Sequence, residues 1–154
     1  MKNTLLLFVA IFFSLTTYAQ QEYEWDDYGL AFTLPDDFEE TASSDEVFEA
    51  EGDGMAFSLT VFKDASLTED DIVEFTLMIA DEIDMDVADD ADLVDINGYI
   101  GAYVLGMKDG VAFYILGMID PDSDTNFYAV VAFDDEDDIA DEDAVEILLS
   151  IREM

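Results

Sequence analysis

The chain has no histidine and no cysteine, and its 4 basic residues stand against 40 acidic ones, for a formal charge of −36 at pH 7. Without imidazole there is no Ser–His dyad, no histidine proton shuttle and no His-ligated zinc. Without thiol there is no nucleophilic cysteine, no disulfide and no cysteine-held cluster. The shortage of cations excludes nucleic acid and anionic lipid as partners, because binding either draws on clustered Lys and Arg that release counterions. Carboxylates, hydroxyls and a few scattered cations remain.

Hydrophobic residues make up 51% of the 154-residue chain and aromatics 13%, enough for a core and unlike a solvating acidic tail. At this charge the carboxylates repel one another across a Debye length of about 30 Å in dilute salt but only about 3 Å at 1 M, so salt is expected to stabilise the fold. The same charge suits a saline setting, divalent ions or a cationic protein partner.

Residues 1–19 read as a secretory signal peptide. Lys2 precedes an apolar run from Leu5 to Leu15, and the small residues Thr17 and Ala19 precede a cut before Gln20. The run is short of the roughly 20 apolar residues that cross a bilayer, and no membrane insertion is expected after cleavage. A lipoprotein is excluded because the cut site has no cysteine to acylate. The expected location is periplasmic or secreted. Residues 20–28 read as an acidic lead, and 29–154 as one α+β domain.

Within that domain, Gly29 to Leu34 alternates and stops at Pro35, as a strand does. Glu46–Glu51 and Met55–Phe62 flank Gly52-Asp53-Gly54 as a hairpin. Thr68, followed by three acids, starts a helix whose stripe is Ile72, Phe75, Ile79 and Ile83. Leu93–Ile96 leads into the hairpin turn Asn97-Gly98, followed by strands Tyr99–Met107, Val111–Ile119 and Phe127–Phe133. The near-continuous apolarity of the first two of these predicts that both their faces are covered. Asp141–Arg152 reads as a closing helix with Ala144, Ile147, Leu148 and Ile151 inward and Arg152 at the negative end of its dipole. The fold class is α+β, an antiparallel meander flanked by two helices in an α/β/α sandwich.

In order and spacing, three local features resemble the PsbP-like family, whose fold is shared by the extrinsic oxygen-evolving-complex protein of photosystem II and by a Ran-binding nuclear import factor. They are the opening Tyr28 to Phe38, the central Ile96-Asn97-Gly98-Tyr99-Ile100-Gly101-Ala102, and the closing Leu148-Leu149-Ser150-Ile151. The resemblance implies binding and assembly rather than turnover. The metal-linked histidines of the photosynthetic members have no counterpart here, so no site residue carries over.

Four constellations compete for a role. Asp120, Asp122, Asp124 and Asn126 place oxygens as at the start of a calcium loop, but Thr125 stands where that loop needs glycine, and Val131 where it needs a bidentate Glu. The run Asp134 to Asp138 is denser but continuous, which suits a solvated surface. No carboxylate pair stands out for hydrolysis, and Ser43, Ser44 and Ser58 lack a base, with Lys63 and Lys108 as the remaining activators. Tyr23, Trp25 and Tyr28 suit either core packing or a docking patch. The expected function is a non-enzymatic exported interaction domain without a cofactor, drawn to a cationic protein. A weak calcium binder is the alternative, and a carboxylate hydrolase the third.

Overall fold

The computed structural model describes residues 19–87 and 90–154, so the expected leader, residues 1–19, lies outside the described residues except for Ala19. The described elements, in chain order, are β1 (Gln20–Trp25), β2 (Leu30–Pro35), β3 (Glu39–Ser43), β4 (Val47–Gly52), β5 (Met55–Lys63), α1 (Ile72–Ile83), β6 (Asp86–Val87), β7 (Asp92–Ile96), β8 (Tyr99–Lys108), β9 (Val111–Ile119), β10 (Thr125–Asp134), α2 (Asp138–Ser150) and β11 (Arg152–Glu153). The main sheet runs β3-β4-β5-β10-β9-β8-β6, with β7 also paired to β8, and a smaller sheet runs β1-β2-β11. All the pairings are antiparallel.

The turn chemistry set these pairings where expected. Gly52 pairs with Met55 across the first hairpin. Asn97 and Gly98 both take positive φ, 48° and 97°, which closes β7 onto β8 with Ile96 opposite Tyr99. Along β5 the side chains alternate between buried and half-buried, the mark of a strand with one face in the core.

Helix α1 covers one face of β8 and β9. Of the expected stripe Ile72 and Ile79 are buried and Phe75 and Ile83 half-buried, while Thr76 and Ala80 are buried beside them. The Thr76 hydroxyl donates to the Ile72 carbonyl at 2.8 Å and lies 3.3 Å from the Ala102 carbonyl of β8. The approach is close because Gly117 lies beneath: a Cβ there would stand 2.5 Å from Thr76 Oγ1. A single 3₁₀ turn, Glu69–Asp71, precedes the helix. Thr68 and Asp71 form a capping box there, in which the Asp71 carboxylate also accepts from the Thr68 hydroxyl and N–H at 2.6 and 3.0 Å. At the far end Lys108 Nζ donates to the Ile83 carbonyl at 2.6 Å, a cation at the negative end of the helix dipole.

The other face of the main sheet is covered by α2 together with the small sheet, so the third layer is mixed rather than a lone helix. Phe32 of β2 lies 4.9 Å from Phe48 and 5.2 Å from Phe57, ring centre to ring centre, at the middle of this larger core.

Two sequence expectations need correction, and one strand, β3, is not among those expected. The acidic lead is strand β1, which pairs with β2 along its whole length. Its alternate residues Tyr23 and Trp25 turn inward, and Trp25 is buried. Strand β3 is too polar to show an apolar period. The closing helix starts three residues earlier and ends two earlier than expected, because Asp137 caps it by accepting from the N–H groups of Ile139 and Ala140 at 3.0 Å each. Arg152 therefore leaves the helix, joins β11, and pairs with the Glu22 carboxylate.

Candidate binding groove

Helix α2 packs on β2 and β10 and reaches β9. The covering of β8 is incomplete there: Tyr103 and Met107 remain 38% and 41% exposed, against the expectation of two covered faces. Between α2 and the β7–β8–β9 end of the sheet lies a groove of about 330 Å³, with Val94, Ile96, Leu116 and Leu148 in its lining. Val145 and Leu149 of α2 overlook it, 38% and 54% exposed.

Two tyrosines complete the lining, and each points its hydroxyl at an acid. Tyr114 donates to Asp141 Oδ1 at 2.9 Å and Tyr103 to Asp92 Oδ2 at 3.4 Å. Burial, followed by the hydrogen bond and negative charge of Asp141, pushes the Tyr114 pKa up to about 12, so its phenol stays a donor. Asp141 stands on the helix wall and Asp92 on the strand wall, so the apolar floor has a carboxylate at each side.

The helix wall is tied down by the hairpin turn. The Asn97 side-chain amide donates to the Leu149 carbonyl at 3.0 Å and to the Ile151 carbonyl at 2.7 Å. These bonds satisfy carbonyls that a helix end leaves open, and fix the end of α2 against the β7–β8 turn.

The constellations singled out in the sequence take other parts. Asp120 spends its carboxylate on its own loop, accepting from the Asp122 N–H at 2.9 Å and the Ser123 hydroxyl at 2.6 Å. Among the described residues no three acids gather to hold a metal ion, so Asp120, Asp122 and Asp124 are not brought together as ligands. In the run from Asp134, one carboxylate braces the Glu136 N–H at 3.0 Å and Asp137 caps α2. Tyr23, Trp25 and Tyr28 pack into the core, with Tyr23 stacked on Phe32 and Tyr28 set edge-on to Trp25. Ser44 closes a local turn to Val47, and Lys108 is spent on α1.

A second, more polar cleft lies between α2 and β1–β2, lined by Gln20, Thr33, Asp143, Glu146 and Ser150 among others. Partial burial, then the neighbouring Glu146, Asp53, Asp37 and Glu142, raise the Asp143 pKa. Ser150 is occupied there, its hydroxyl donating to the Ile147 carbonyl at 2.6 Å and accepting from the Thr33 N–H at 2.8 Å. Every described Asp and Glu is exposed except Asp120 and Asp143, which are half-exposed.

The groove residues escaped the sequence reading for a physical reason. Val145 and Leu149, four apart, widen the apolar arc of α2 beyond the stripe that burial uses, and that surplus width was the available signal. Nothing in the sequence tells that β8 is left partly bare, since Tyr103 and Met107 sit in a run that reads as buried throughout.

No family model and no curated protein matches the chain. Solved structures do. A cyanobacterial PsbP from Synechocystis sp. PCC 6803 superposes with a TM-score of 0.64 at 11% identity, over 92% of this chain and 96% of that one. This chain has the PsbP-like fold. The Ran-binding protein Mog1p of Saccharomyces cerevisiae gives 0.61 at 9% identity over 88% and 95%, and LpqN, involved in cell envelope biogenesis of Mycobacterium tuberculosis, gives 0.56 at 12% over 87% and 90%. A protein from Bacteroides thetaiotaomicron is matched at 0.58 and 15% identity, and there 87% of this chain spans 48% of the other's length. At these identities the likeness concerns the PsbP-like fold itself. Among the described residues no helix is long and apolar enough to cross a membrane.

Proposed function

We propose that this protein is an exported, non-enzymatic interaction domain that engages a cationic protein. The observation that carries the reading is the distribution of charge: the acids stand almost wholly in solvent around an apolar groove, on a chain of net charge −36. Such a surface raises the encounter rate with positive partners and repels negative ones. Export is supported by the leader at residues 1–19 and by the start of β1 at Gln20, so a cut after Ala19 leaves that strand whole. The PsbP-like fold is shared with a Ran-binding protein, which suits a binding role, and with a protein involved in cell envelope biogenesis.

The hydrolase reading has one carboxylate of raised pKa, Asp143, but it is open to water and the hydroxyl beside it is engaged. Both oxygens of Asp120 already accept within the loop, and among the described residues no three acids gather there to complete a calcium site. Calcium at millimolar concentration is therefore expected to shift the melting temperature no more than magnesium at equal ionic strength.

Titration of the mature protein with a Lys-rich peptide tests the function. Saturable binding at about 20 mM salt that weakens strongly by about 500 mM is expected. Absence of binding at the lower salt contradicts the reading. Sequencing the mature N-terminus from an exporting cell tests the leader, with Gln20 expected first.

A further inference from the structure

From the groove and its margins we infer that the α2/β8 groove is the docking site for a basic amphipathic segment of another protein, its apolar side chains on the floor and its Lys or Arg side chains on the walls. The inference rests on the cationic-partner reading and adds a place and a chemistry to it. Three observations select this occupant.

The floor is apolar. Val94 and Leu116 line it, and Val145, Leu149 and Tyr103 stay between 38% and 54% exposed, so no described element fully covers them. Truncating or polarising such anchors is what costs a partner its affinity. The walls are anionic: Asp92 and Asp141 sit at the tyrosine hydroxyls that line the groove. Of the three described cations, Lys108 and Arg152 are paired elsewhere, to Ile83 and Asp84 and to Glu22, and Lys63 ends β5, separated from β8 by β10 and β9, so none answers those walls.

Other occupants fit less well. A second copy would bring another −36 charges against the same walls. A small ligand needs polar groups placed to orient it, and here both tyrosine hydroxyls are already engaged while the described side chains leave no buried polar atom unpaired. At about 330 Å³ the groove is also at the small end for a ligand pocket, and suits a few side chains presented by a chain.

The test uses two fluorescein-labelled peptides of equal charge, one with Leu on one face and Lys on the other, and one of Lys and Ser alone. Each is titrated into the mature protein and into the double variant Val145→Gln, Leu149→Gln. Both substitutions lie on an exposed face of α2, and circular dichroism checks that the variant folds. Tyr103→Ser on β8 serves as a second variant independent of the helix. The Leu/Lys peptide is expected to bind saturably, to lose about tenfold or more in affinity in either variant, and to weaken with salt. The Lys/Ser peptide is expected to bind weakly and equally to all three proteins.

If both peptides bind and neither variant changes the affinity, the groove assignment is overturned while the cationic reading stands. If neither peptide binds in dilute salt, both are overturned. Binding of the Leu/Lys peptide that persists undiminished at about 500 mM salt overturns the basic character of the partner. Self-association of the protein that disappears in the variants assigns the groove to a second copy instead.

Discussion

One sheet is covered on its two faces in two different ways. Under α1 the helix comes down onto glycine, with Gly117 admitting Thr76, and Ile72, Ile79 and Ala80 are sealed against β8 and β9. Under α2 the cover is shared with a second sheet, the helix stands toward β10 and β2, and Val145, Leu149 and Tyr103 remain in contact with water. The first arrangement spends its apolar surface on stability. The second keeps part of it in reserve. A face closed by close approach has no room for a partner, whereas a face covered by elements of unequal reach leaves a step between them, and the groove is that step.

Substitution at the sealed face has the largest expected effect. Gly117→Val pushes branched carbons into Thr76 and Ile72, and a loss of about 3 kcal/mol is expected in a urea melt, most of it from displacement of α1. A loss below about 1 kcal/mol would show that α1 is not held by close approach.

Next comes the tie at the open face. Asn97→Gly keeps the positive φ that the turn needs but removes both bonds to the end of α2. A loss of about 1–2 kcal/mol is expected, with faster amide exchange in the last turn of α2 and none added in α1. Equal acceleration in both helices would erase the proposed difference between the faces. Smaller still, Val145→Gln with Leu149→Gln is expected to change stability by no more than about 0.5 kcal/mol, as for surface positions, although it removes the anchors.

Acid separates the faces by sign. Asp143, on α2, has a raised pKa from burial and from its acidic neighbours, so the folded state holds its proton more tightly than the unfolded one. Its charge therefore costs stability at neutral pH, and that cost fades as pH falls through the raised value. Asp71, at the start of α1, has its pKa lowered below 3.8 by the Thr68 hydroxyl and then its N–H, so its contribution is present above 3.8 and is lost as pH falls through the lower value. Melting temperature is thus expected to rise on mild acidification, as repulsion is also relieved, and to fall in stronger acid. Asp143→Asn should stabilise the protein slightly at pH 7 and leave it unchanged once Asp143 is protonated in the parent, and a destabilising effect at pH 7 would contradict the sign.

The legible part of this molecule was the part written by local chemistry. Asn97-Gly98 and Gly52-Asp53-Gly54 set two hairpins, and the stripe from Ile72 to Ile83 set α1. Strand β1 was hidden because its exposed face is Gln and Glu, and charge masked the alternation of Tyr23 and Trp25. The end of α2 was misplaced because Arg152 looks like a dipole partner until a sheet pairing claims it. The groove was illegible because it is made of what tertiary packing leaves uncovered. No local pattern records that Asn97, read as a turn residue, also grips a helix 52 residues away.

The two faces have different work to do, and backbone amide chemical shifts report on both at once. Titrating the labelled protein with the Leu/Lys peptide is expected to move the resonances of Val94, Tyr103, Val145 and Leu149 and to leave those of Ile72, Thr76 and Gly117 in place. Shifts spread evenly over the acidic surface, or gathered around α1, would contradict it.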